Sequence, residues 1–138
     1  LNDYILFLRM LLNDGRANNL QILRPETIEV MFSHHIGSNV DMKMYSTNKA
    51  ISRDVNFFPG TPKSWGLSFM INQEKADTGR AANSLGWAGL SNCYFWLDTK
   101  NKIAGVFGTQ ILPFIDKKAF PLYMAFEKTV YRSLLGEY

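Results

Sequence analysis

A chain of 138 residues with 46% hydrophobic and 14% aromatic side chains can bury a real core, which excludes a disordered segment. Its net charge of +3 is mild, and only Lys117 and Lys118 are adjacent among scattered basic residues, so no nucleic-acid-binding stripe is present. Cys93 is the sole cysteine, which excludes an internal disulfide framework, and no apolar run is long enough to span a membrane.

In chain order, Asn2 or Asp3 can cap a first helix whose apolar residues Tyr4, Phe7, Leu8 and Leu11 follow helical spacing. Gly15 is a natural stop after it. Pro25 suits the first position of a second helix, with Ile28, Met31 and Phe32 on one face and an end expected near His34 and His35. These adjacent histidines would point about 100° apart on a helix and cannot clasp one ion together, so no metal site is expected.

Residues 36–64 show no sustained period and contain Gly37, Pro59, Gly60 and Pro62. A loop of that length is functional or poorly ordered. Its apolar anchors, among them Phe57 and Phe58, favour a loop folded over a surface. Strands are expected over 65–71 and 82–87, separated by a polar excursion. A hairpin follows, with strands over 92–98 and 103–110 around the polar turn Thr99-Lys100-Asn101-Lys102. Both hairpin strands are apolar on both faces, which calls for a sheet covered on two sides. Asp98 beside this turn, and Asp54 in the loop, read as turn or surface residues. A final helix is expected from Pro121 to Leu135, with Leu122, Phe126, Val130 and Leu134 forming its apolar stripe and Gly136 ending it. The fold class is α+β, an antiparallel sheet of three or four strands flanked by helices.

The most informative stretch is Gly86-Trp87-Ala88-Gly89, where glycines permit close approach of backbone and ligand. Followed by Tyr94-Phe95-Trp96-Leu97-Asp98 and by Gly105-Val106-Phe107-Gly108-Thr109-Gln110, and preceded by Trp65-Gly66-Leu67-Ser68-Phe69, it resembles the third motif region of the serine β-lactamase and penicillin-binding superfamily. Within that superfamily, which includes the class C β-lactamases, the resemblance is to the family VIII carboxylesterase-like branch, where Trp-Ala-Gly replaces Lys-Thr-Gly. Phe7-Leu8-Arg9-Met10-Leu11-Leu12-Asn13 and Leu23-Arg24-Pro25-Glu26-Thr27 are similar to the family's helix pair.

The resemblance covers nearly the whole chain but only the C-terminal portion of the family's β-lactamase/transpeptidase-like fold. It implies one partial domain over 1–138: a helix pair at 1–35, a cleft-bordering loop at 36–64, antiparallel strands at 65–112 and a C-terminal helix at 113–138. The family's nucleophile lies in a Ser-x-x-Lys motif assisted by Tyr-x-Asn, and no Tyr-x-Asn occurs here. The literal Ser-x-x-Lys at Ser46 to Lys49 lies only about forty residues before Trp87, in a polar stretch, and reads as coincidence.

The resemblance therefore implies a serine hydrolase, a carboxylesterase acting through an acyl-enzyme without a cofactor, whose main catalytic residues lie outside this chain. The backbone N–H of Leu90 is the implied oxyanion donor. Trp87, Ala88, Gly89 and Leu90, with Phe57 and Phe58, are the implied contacts for a small-molecule ester. Trp87 in place of a cation removes the partner for a β-lactam carboxylate and offers an apolar wall; a core role for this tryptophan is the competing reading. The implied partners are the missing N-terminal segment, or a second copy pairing along the open strand at 103–109. A soluble protein is expected, and the sequence does not decide between cytoplasm and periplasm. Two rivals are a non-catalytic binding module that keeps the fold and a membrane-surface protein using the first helix.

Overall fold

The computed structural model describes residues 1–37, 40 and 42–136. Among these residues the chain forms helix α1 (Asn2–Leu12), a small hairpin of β1 (Arg16–Ala17) and β2 (Leu20–Gln21), helix α2 (Pro25–Phe32), strands β3 (Lys63–Trp65), β4 (Met70–Asn72), β5 (Ser84–Gly89), β6 (Cys93–Asp98) and β7 (Ile103–Phe107), and helix α3 (Ala119–Leu135). Strands β3 to β7 make one antiparallel sheet in sequence order. The architecture is α+β. The sheet has five strands rather than three or four, because the expected strand over 65–71 is two three-residue strands joined by a reversal at Gly66 to Phe69. Pairs that short carry no readable alternation.

The sheet is covered on both faces, as the doubly apolar hairpin requires. Leu8, Leu11 and Leu12 of α1 and Ile28 of α2 pack with Ile71, Leu85 and Leu97 on one side. Met70, Tyr94 and Trp96 pack with Tyr123 and Tyr131 of α3, and with Phe57 and Phe58 of the long loop, on the other. Gly105 is required by this packing: a Cβ there would stand 2.0 Å from the Trp96 indole.

Two helical faces differ from expectation. Leu8, Met10, Leu11 and Leu12 form the buried face of α1, while Tyr4 and Phe7 stay 40% exposed. In α3 the buried stripe is Ala119, Tyr123, Glu127 and Tyr131, and the more apolar Leu122, Phe126 and Leu134 remain exposed. The stripe is displaced by one residue because Glu127 finds a buried cation. Arg80 donates from Nε to Glu127 Oε1 at 2.6 Å and from Nη2 to Tyr123 Oη at 2.7 Å, and also bonds Glu127 Oε2. Tyr123 Oη donates to Glu127 Oε2 at 2.7 Å, and Thr78 Oγ1 donates to Oε1.

The boundaries have local causes. Helix α3 begins two residues before Pro121 because Asp116 Oδ1 accepts the N–H groups of Lys118 and Ala119 at 2.9 and 3.0 Å. It ends at Gly136, whose φ of 71° is left-handed. Helix α2 stops at Phe32, short of the histidines, and His35 lies beyond it with Nε2 at 2.6 Å from the Val30 carbonyl. Asp98 is not a surface residue. It is fully buried and accepts from Ala81 N (2.9 Å), Asn101 N (2.9 Å), Asn101 Nδ2 (2.8 Å) and Tyr131 Oη (2.9 Å). Asp54 also has partners, Lys49 Nζ and the Ser46 N–H, although both side chains of the Lys49–Asp54 pair are exposed.

Candidate functional site

Strand β5 is paired unequally along its length. Leu85 and Gly86 are held between β4 and β6, whereas Trp87, Ala88 and Gly89 pair only with Phe95, Tyr94 and Cys93 of β6. The second half of the strand thus presents an edge that β4 does not cover. A cavity of about 520 Å³ opens beside it, with Tyr4, Trp87, Ala88, Gly89, Cys93 and Phe95 in its wall. Burial pushes the Tyr4 hydroxyl above its ordinary pKa.

The two glycines of the motif do different things. A Cβ on Gly86 would come within 2.6 Å of the Phe95 carbonyl oxygen and 3.0 Å of Arg80 Nη1. That glycine serves the close approach of neighbouring backbone and not of a ligand. A Cβ on Gly89 would meet nothing closer than Cys93 Cβ at 3.6 Å. The absent side chain at 89 is used by nothing in the fold. Gly89→Ala is therefore expected to leave the thermal midpoint within about 2 °C of the parent chain, as for a surface change. Gly105→Ala is expected to cost about 1–3 kcal/mol or more through collision with Trp96. Thermal unfolding followed by circular dichroism separates the two.

Trp87 is half-buried, edge-on to Trp65 at 4.5 Å between ring centroids and tilted against Phe57 at 5.8 Å. It both anchors the local aromatic cluster and lines the cavity. Phe57 is buried behind it, touching Tyr94 and Phe120 as well. Phe58 is buried under the Arg80 guanidinium, 4.9 Å from its ring centroid. Neither phenylalanine is in the cavity wall; both support it from the core.

Leu90, Ser91 and Asn92 form the turn between β5 and β6. Leu90 is 53% exposed, and among the described residues its N–H donates to no backbone carbonyl. Ser91 offers its carbonyl to Thr109 Oγ1 at 2.5 Å. Asn92 is fully buried with a left-handed φ of 58° and was missed by sequence reading. Only the tolerance of asparagine for that conformation hinted at it.

The literal Ser-x-x-Lys does not assemble. Ser46 Oγ accepts from Ser52 Oγ at 2.9 Å, while the Lys49 amine is taken by Asp54, in a stretch without helix. Cys93 Sγ donates to the Thr109 carbonyl at 3.3 Å. Among the described residues no three His, Cys, Asp or Glu side chains converge on a common point, and no helix is long and apolar enough to cross a membrane.

No family model matches the chain. It is 27% identical over 137 residues to a lovastatin esterase of Penicillium rubens, covering 94% of this chain and 33% of that protein. The unliganded simvastatin synthase LovD of Aspergillus terreus superposes with a TM-score of 0.74 at 23% identity, over 94% of this chain and 33% of its own. A penicillin-binding protein homologue of Caulobacter crescentus superposes with a TM-score of 0.55 at 15% identity, over 88% of this chain and 30% of its own. The chain thus spans about a third of the length of these relatives. Over this stretch the chain shares the α+β fold of LovD and of the penicillin-binding protein homologue.

Proposed function

We propose that these residues form one wall of the cleft of a β-lactamase-related serine hydrolase, a carboxylesterase that works through an acyl-enzyme. The observation that carries this reading is the Leu90 N–H, which among the described residues donates to no backbone carbonyl, directly after a half-covered strand whose Trp87, Ala88 and Gly89 line an apolar cavity. In this reading a serine from elsewhere in the polypeptide attacks the ester carbonyl. The developing oxyanion accepts from the Leu90 N–H and from the nucleophile's own N–H, the alcohol departs with a proton, and water then releases the acid. Trp87, Ala88 and Gly89 line the ester's path, and the apolar wall favours uncharged esters over β-lactam carboxylates. The name of the curated relative, an esterase, accords with this choice.

Leu90→Pro deletes the donor at a turn position outside the left-handed region. In the complete polypeptide it should lower kcat for a nitrophenyl ester about 10²–10³-fold, as loss of one oxyanion donor does. Residues 1–138 alone should give no serine-dependent turnover. Turnover by this segment that vanishes in Ser46→Ala would overturn the reading, and a complete polypeptide without any esterase activity would favour the non-catalytic module.

The same reading assigns a partner. Among the described residues β7 has no neighbour on its outer side, and a groove of about 620 Å³ runs along it between Ile5 and Leu12 of α1 and Phe126, Val130 and Leu134 of α3. One strand buried on both faces fits between two helices flanking an open edge. The occupant we assign is a strand from the rest of the polypeptide, the relatives being three times as long. In its absence residues 1–138 should self-associate through this edge. Size-exclusion chromatography with light scattering checks this, and a stable monomer across concentrations would count against the open edge.

A further inference from the structure

We infer that Asn92 is the positioning residue for the Leu90 amide, an inference that rests on the oxyanion role proposed above: its buried carboxamide locks the Leu90–Asn92 turn to the segment running from Ile111 to Asp116. The Leu90 side chain is more than half exposed and so offers little packing to fix its own backbone. The Ser91 carbonyl accepts from Thr109 Oγ1 at 2.5 Å and from the Ile111 N–H at 3.4 Å, and the Asn92 side chain adds four further bonds. Asn92 Nδ2 donates to the Ile111 carbonyl at 2.8 Å and to the Pro113 carbonyl at 2.9 Å. Its Oδ1 accepts from Tyr94 Oη at 2.8 Å and from the Asp116 N–H at 3.0 Å.

Two donors and two lone pairs are the whole capacity of an asparagine side chain, and all are used here without water. The left-handed backbone alone would be met by glycine. The carboxamide adds the tether. Through it the turn is bound to Asp116, whose carboxylate caps α3, and to Tyr94, whose ring stacks on Tyr123 at 4.3 Å. The donor is thereby fixed to the helical layer rather than to the free half of β5. Stabilisation of an oxyanion depends on a donor that does not have to reorganise, and misplacement by about 1 Å costs on the order of 10²-fold in rate.

The test uses the complete polypeptide with three variants. Asn92→Gly keeps the left-handed backbone and deletes all four bonds; Asn92→Asp keeps the acceptor oxygen but turns a carboxylate toward two carbonyls. Both should lower kcat about 10- to 100-fold with KM within about threefold. Affinity for a phosphonate transition-state analogue should fall by the same factor as kcat, while affinity for a non-hydrolysable ground-state ester should not. A lowered thermal midpoint with kcat per folded molecule unchanged would leave Asn92 merely structural and overturn the inference. Leu90→Pro separates the two layers of the argument. If it leaves kcat intact, the oxyanion reading itself fails; if it abolishes turnover while Asn92→Gly does not, the assignment of Asn92 alone fails.

Discussion

Glu127→Ala is expected to destabilise the chain by about 3–5 kcal/mol, the cost of leaving a buried guanidinium without its counter-ion. Arg80 is 2% and Glu127 0% exposed, so neither solvent nor salt can replace the lost partner. Total stability for a domain is about 5–15 kcal/mol, so this one change removes a large share of it. The loss reaches beyond the pair, because Thr78 Oγ1 and Tyr123 Oη also donate to the same carboxylate. Arg80→Met should be comparably damaging, since it leaves a carboxylate in the core with two hydroxyl donors but no counter-ion. The double variant Arg80→Met/Glu127→Met removes both charges and should cost less than the sum of the singles, with a coupling of about 2–3 kcal/mol. Urea unfolding of the four proteins measures it. Additive costs would mean the ion pair is not what holds the 76–81 loop to α3.

The second large effect is an acid-sensitive contribution from Asp98. Burial pushes its carboxyl up, but N–H donors of Ala81 and Asn101, the Asn101 amide and the Tyr131 hydroxyl outweigh burial and hold it below the ordinary aspartate value. Between the folded and unfolded pKa values the unfolded chain binds the extra proton, so stability rises with pH across that window. The contribution is complete above the unfolded pKa of about 3.9 and is lost as pH falls through the lower folded value. Asp98→Asn should cost about 2–4 kcal/mol at neutral pH, because its amide nitrogen must face a donor. Its loss of stability on acidification should also be shallower than that of the parent. Asp54 and Asp116 are likewise held low by hydrogen bonds, so only the difference between the two curves reports on Asp98. Parallel curves between pH 2 and 6 would refute the role given to this carboxylate.

Both effects come from residues that sequence reading placed badly, for a shared reason. A stripe of Leu122, Phe126, Val130 and Leu134 is the more apolar one, and periodicity alone selects it. Tyr123, Glu127 and Tyr131 are buried instead because Arg80, 47 positions before Glu127, meets the carboxylate, and Asp98, 33 positions before Tyr131, takes the hydroxyl. Pairings at that separation leave no local trace. The hairpin of β6 and β7 and its two covered faces were legible, since alternating apolar residues on both sides admit few other arrangements. Of the candidate site, Trp87, Ala88 and Gly89, which line the cavity, stood out in the sequence, while the tether at Asn92 did not: its turn conformation is a local property, but the four groups it bonds include three from residues 111–116.

The position of β5 is decided at Gly86, where a neighbouring carbonyl and guanidinium leave space for hydrogen only. The contact of that strand with β4 is complete at Gly86, and from Trp87 onward it is held by β6 alone. At the far end of the strand a side chain on Gly89 would meet only an ordinary contact with Cys93, so that end can change without displacing the sheet.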